Sequence, residues 1–196
     1  MEELRIHGRG GQGAVIASKL LASAFFREGK SVQSFPAFGV ERRGAPVTAF
    51  LRISDGPILL RCEITEPDGL VVLDPTLVEA VDVTTGLKEG GWILINSERS
   101  PGDYSRLADR FRVATVDANH IARCHGLGSK TQPIVNTAIL GAFAAFTRSV
   151  SIDAVCAAIE EDVPIQPEAN VKAAREAAAG LASLMETGAE HAPAEG

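Results

Sequence analysis

Aromatic residues make up only 5% of this 196-residue chain, leaving little surface for stacking nucleic-acid bases. Positive charge is also in deficit, with 19 Lys and Arg against 25 Asp and Glu, a formal charge of −6 and a pI near 5.3. That balance excludes a nucleic-acid-binding face and a polybasic membrane patch. Cysteine is rare: Cys62, Cys124 and Cys156 stand apart, with no C-x-x-C pair among them. The chain therefore reads as holding neither an iron–sulfur cluster nor structural zinc, and unpaired thiols suit a reducing cytoplasm. The longest apolar stretch, residues 134–146, is about 13 residues and contains Asn136 and Thr137. A bilayer takes roughly 20. Glu2 and Glu3 stand where a secretory signal needs positive charge. His7, His120, His125 and His191 show neither metal-ligand spacing nor a companion nucleophile.

What is present is an ordinary globular composition, 45% hydrophobic and 22% charged. The length suits one domain, placed at residues 1–186, with the composition of a disordered tail over 187–196. Short apolar runs alternate with helical patterns. Strands are expected at Leu4–His7, Ser31–Phe35, Leu70–Leu73, Trp92–Ile95 and Phe111–Val116. Val47–Ile53 and Ile58–Glu63, around Asp55-Gly56-Pro57, predict a hairpin and hence a mixed sheet. Helices are expected from Ala14 to Arg27, stopped by Gly29, and from Asp117 to Cys124. Three more follow, opened by Pro133, capped by Ser151 or Asp153, and started by Pro167. In the first helix Ile16, Leu20 and Ala24 share the buried face with Ala17, Leu21 and Phe25. In the last, an Ala-rich stripe (Val171, Ala174, Ala178, Leu181, Met185) packs on its own domain or on a partner. The order predicts an α/β, three-layer Rossmann-like domain with a mixed, mainly parallel sheet and C-terminal helices. Gly8, Asp74, Asn96 and Asp117 then fall at strand ends, rimming one cleft.

The most chemical feature is Gly8-Arg9-Gly10-Gly11-Gln12-Gly13, set between a strand and a helix. Such a turn aims backbone N–H groups and a helix N-terminus at an anion, and glycine supplies the positive φ and close approach. A dinucleotide site also demands an acidic residue at the end of the second strand. Ser31-Val32-Gln33-Ser34-Phe35 has none. Dinucleotide binding, another mode of anion binding and a purely structural turn all stay open on these residues. Arg42 and Arg43 could clamp a phosphate or carboxylate, or form a solvated cluster with Glu41. Asn136 is a buried amide that must cap a loop or face the cleft. Asp74 and Asp117 read as holders of turns or helix starts. The chain thus has a binding loop and no catalytic apparatus, as one subunit of a larger machine would.

The glycine turn resembles the G-x-G-G-Q-G hallmark of the γ subunit of 2-oxoacid:ferredoxin oxidoreductases. Phe38-Gly39-Val40-Glu41-Arg42-Arg43-Gly44 is similar to that family's second block, departing from it at Ala45, where a further glycine is frequent. The stretch from Pro133 through Asn136 to Gly141 resembles its Asn-bearing helix, and Asn170 and Ala173 fit its last helix. The resemblance covers about residues 4–180. It implies a subunit of a thiamine-diphosphate enzyme that oxidatively decarboxylates a 2-oxoacid to an acyl-CoA. Thiamine diphosphate would sit in α and β subunits, and [4Fe-4S] clusters in a ferredoxin-like δ subunit or in β. This chain would assist coenzyme A binding through Gly8, Gly10, Gly11, Gln12, Gly13, Arg42, Arg43 and Asn136. Two other readings are a free-standing nucleotide-binding regulatory domain and a purely scaffolding subunit.

Overall fold

A computed structural model of the chain describes residues 1–37 and 43–190, with side chains through residue 185. Six strands form one sheet: β1 (Glu2–Arg9), β2 (Ser31–Pro36), β3 (Pro46–Ser54), β4 (Gly69–Val72), β5 (Trp92–Asn96) and β6 (Arg112–Val116). Their spatial order is β2-β3-β1-β4-β5-β6. β1, β4, β5 and β6 run parallel, while β3 lies antiparallel between β1 and β2. The mixed, mainly parallel sheet of the sequence reading is therefore present.

Among the described residues there are seven α-helices: α1 (Ala14–Arg27), α2 (Leu77–Ala80), α3 (Ser105–Ala108), α4 (Ala118–Cys124), α5 (Asn136–Thr147), α6 (Ile152–Asp162) and α7 (Pro167–Glu190). The larger core joins Leu4, Ile6, Leu51, Val71 and Leu94 on one sheet face to α1, α5, α6 and α7. A smaller core on the other face gathers Leu70, Val72, Ile93 and Ile95 under Leu77, Val83, Leu87 and Phe111. Strands buried on both faces explain the unbroken apolar runs of β4 and β5. The Ala-rich stripe of α7 packs on its own domain: Ala174 meets α5 at Gly141, where an added Cβ would lie 1.8 Å from the Ala174 carbonyl oxygen.

Two expectations are corrected. Ile58–Glu63 forms no strand, because β1 and β2 already occupy both edges of β3. Leu59 there is 85% exposed. Ile16 is more than half exposed, lining a side cavity beside the first turns of α1 rather than joining the core. The last helix, α7, runs to Glu190.

Candidate functional site

At the carboxyl ends of β1 and β4 the chain leaves in opposite directions across the sheet, which opens a crevice there. The glycine turn occupies it. Gly8 packs closely, since an added Cβ would sit 3.2 Å from Leu73 and 3.3 Å from Ala14. Gly11 and Gly13 both adopt positive φ, 99° and 81°, which a side chain disfavours. Gly13 leads into α1 in the left-handed conformation, and a Cβ there would lie 2.6 Å from Asn136 Nδ2.

Two tethers hold the turn. Gly10 donates its amide to the Ala45 carbonyl at 2.9 Å and accepts from the Gly44 amide at 3.1 Å. The Gln12 side chain works inward: Oε1 accepts the Arg9 amide at 2.8 Å, and Nε2 donates to Asp74 Oδ2 at 3.0 Å. Arg9 Nε reaches the same oxygen at 3.1 Å, and its other nitrogens donate to the Gly44 carbonyl and the Thr76 hydroxyl. Asp74 Oδ1 accepts from the Thr76 amide at 3.0 Å and hydroxyl at 2.6 Å. Partial burial pushes this carboxyl's pKa up, but the hydrogen bonds from Thr76 and Gln12 and the Arg9 charge outweigh it, and the value falls below normal.

With these bonds made, the amides of Gly11, Gly13 and Ala14 meet no acceptor among the described residues. Of the three residues, Gly11 lines a cleft of about 590 Å³, and Gly13 and Ala14 follow it into α1. Arg43 faces the same cleft from a bridge opposite Gly10, its guanidinium donating to Gln132 Oε1 at 3.0 Å. Gly128, Ser129, Thr131 and Pro133 form the far wall. A smaller polar cavity of about 330 Å³ lies beside it at the ends of β5 and β6, lined by Asn96, Ser97 and Asp117. Asn119 lines both. The single cleft expected at the strand ends is thus two adjoining ones.

The structure brings Gly10, Gly11, Gln12 and Arg43 to one cleft, with Asn136 behind Gly13. Asn136 is buried, and its Oδ1 meets no hydrogen-bond partner among the described residues. Arg42, with the rest of residues 38–42, lies outside the described residues. Sequence reasoning missed the Arg9–Asp74–Thr76 cluster and Gln132. The available signal was Asp74-Pro75-Thr76 closing an apolar strand, an Asx-turn pattern. The sheet departs from the dinucleotide-binding arrangement in a second respect, beyond the missing acidic residue. β2, which follows α1, is a sheet edge antiparallel to β3 and does not neighbour β1.

Fold and site together define an α/β domain with an anion-ready glycine turn, its polar side chains spent on shaping that turn. The pyruvate ferredoxin/flavodoxin oxidoreductase family matches residues 3–180, and the chain belongs to it. Within the family it is of the γ type. It is 53% identical over 180 residues to the pyruvate/ketoisovalerate oxidoreductases common subunit gamma of Thermococcus kodakarensis, covering 90% of this chain and 95% of that one. It is 48% identical over 159 residues to the pyruvate synthase subunit PorC of Methanosarcina barkeri, covering 81% and 85%. The crystal structure of the pyruvate oxidoreductase subunit PORC of Thermotoga maritima superposes with a TM-score of 0.77 at 36% identity, covering 91% of this chain and 95% of that one. The chain is accordingly a subunit of a multi-subunit 2-oxoacid oxidoreductase and not its catalytic centre. No helix among the described residues is long and apolar enough to cross a membrane.

Proposed function

We propose that this chain supplies the coenzyme A phosphate site of a cytoplasmic 2-oxoacid oxidoreductase, with residues 1–186 acting as one domain. The single observation that carries the proposal is the Gly11 amide, without an acceptor among the described residues, lining one cleft with Arg43. Coenzyme A carries several phosphate charges, and backbone N–H groups at a helix start favour anions. Arg43 adds a fixed cation with a planar donor fork. Gly8 and Gly13 let the chain pass close to Leu73 and Asn136, and Gln12 contributes by shaping the turn rather than by touching the ligand. Arg42 is the second cation of this reading.

The partners are α and β subunits holding thiamine diphosphate, and a ferredoxin-like δ subunit carrying [4Fe-4S] clusters. Decarboxylation and electron transfer occur there, with ferredoxin or NAD as the final acceptor. This chain retains the thiol-bearing acceptor of the acyl group at their boundary. The test uses the assembled oxidoreductase. Replacing Arg43 with Gln is expected to raise KM for coenzyme A about tenfold, the loss of one charge-assisted contact of about 1.5 kcal/mol. The KM for the 2-oxoacid and kcat at saturating coenzyme A should stay unchanged. An unchanged KM for coenzyme A contradicts the reading.

A further inference from the structure

We infer that Asp74 is a positioning residue of the glycine turn, acting through the orientation of the Gln12 amide. The inference rests on the coenzyme A reading for its kinetic consequence and on geometry alone for its structural one. The Asp74 carboxylate takes four donors, two on each oxygen: the Thr76 amide and hydroxyl on Oδ1, Arg9 Nε and Gln12 Nε2 on Oδ2. An acceptor-only group at this place forces Gln12 to present its NH₂ to Asp74. The Gln12 oxygen then has to face the other way, onto the Arg9 amide, where it is found at 2.8 Å. Carboxylate, amide and backbone N–H form a chain in which each member has one permitted orientation.

That chain decides what the turn can offer a ligand. Arg9 lines the cleft, but its guanidinium is tied to Asp74, Thr76 and the Gly44 carbonyl and so is engaged by the turn. Gly11 and Gly13 are left with their amides uncommitted. Replacing Asp74 with Asn puts an NH₂ where one oxygen stood, so two of the four donors lose their acceptor. If that NH₂ faces Gln12, the Gln12 amide turns over and sets its own NH₂ against the Arg9 N–H, donor against donor. If it faces Thr76, the Asx turn that seats the carboxylate opens. Either way the turn loses its single conformation while the apolar core below is untouched.

Two measurements test this. In the full chain, amide hydrogen exchange resolved by residue is expected to show the Arg9 amide exchanging about tenfold faster in Asp74→Asn, with β5 amides unchanged as evidence that the fold persists. In the assembled oxidoreductase, Asp74→Asn and Gln12→Ala should each raise KM for coenzyme A about fivefold to tenfold, with kcat unchanged. The double variant should go no further, since both act on one orientation. Asp117→Asn is the control, because Asp117 is also a strand-end aspartate but only accepts the His120 amide at the start of α4, at 2.8 Å. It should leave KM unchanged. An unaltered Arg9 amide in Asp74→Asn overturns the inference. So does an unmoved KM for Asp74→Asn where Arg43→Gln raises it, which leaves the coenzyme A reading standing. A released Arg9 amide with all these KM values unmoved supports the positioning role and removes the coenzyme A reading.

Discussion

Gly141 and Gly11 show that this molecule uses glycine for two unrelated ends. In the helical body Gly141 is needed for its missing side chain: α5 lies so close to α7 that any Cβ would overlap the Ala174 carbonyl. At the turn Gly11 has open space around the position of a Cβ, but a φ of 99°. The body is held at Gly141 by close packing with no room, whereas the turn is held by hydrogen bonds and, at Gly11 though not at Gly8 or Gly13, has open space beside it. A site that must admit and release a charged ligand needs the second construction, and a domain that must hold the site still needs the first. Damage to the body should appear in stability, and damage to the turn in ligand affinity.

The widest separation is expected from Gly141→Val. Forcing a branched side chain against a backbone carbonyl should cost about 4 kcal/mol or more, read as a fall in the urea midpoint. Coenzyme A affinity of whatever folds should be normal.

Next comes acid, which acts on the sheet beneath the turn. His7 is buried in β1 with Nε2 unpartnered among the described residues, and burial, helped by the Arg5 charge, lowers its pKa from 6.5 to about 4. The unfolded chain therefore binds a proton that the folded one refuses between those values. Stability present above pH 6.5 is lost as pH falls towards 4, by about 3 kcal/mol at full extent. His7→Gln should flatten that part of the stability profile, measured by urea unfolding at pH 7 and pH 4.5. An equally steep profile in the variant would assign the acid sensitivity elsewhere.

The smallest effect on stability is expected from Gly11→Ala, about 1 kcal/mol from backbone strain alone. Its effect on KM for coenzyme A should nevertheless exceed that of Gly141 variants that still fold. The reverse order would erase the distinction drawn between the two regions.

The same contrast governs what the sequence discloses. The turn is legible because glycine is required there for two reasons, close approach at Gly8 and positive φ at Gly11 and Gly13, which together leave a cluster of glycines in the sequence. β4 and β5 are legible because burial on both faces makes them apolar runs. The partner of β3 is not legible, since Ile58–Glu63 alternates well enough for a strand and only the occupancy of both β3 edges excludes it. Nor is the clamp on the turn: Asp74 lies 62 residues beyond Gln12 and reads locally as a turn residue. Asn136 behind Gly13 is likewise brought there by packing. Ile16 fits the apolar stripe of α1 by period, yet sits where the first turns of the helix meet a cavity. Local chemistry predicts the conformation of the site, and only the fold says which distant side chains hold it.

The most direct test of the central claim is hydrogen–deuterium exchange on the assembled oxidoreductase, with and without saturating coenzyme A. The account predicts that the segment spanning residues 8–16 becomes protected when coenzyme A binds, together with the segment carrying Arg43, while β5 does not change. Saturation of the enzyme with coenzyme A and no change in residues 8–16 would contradict it.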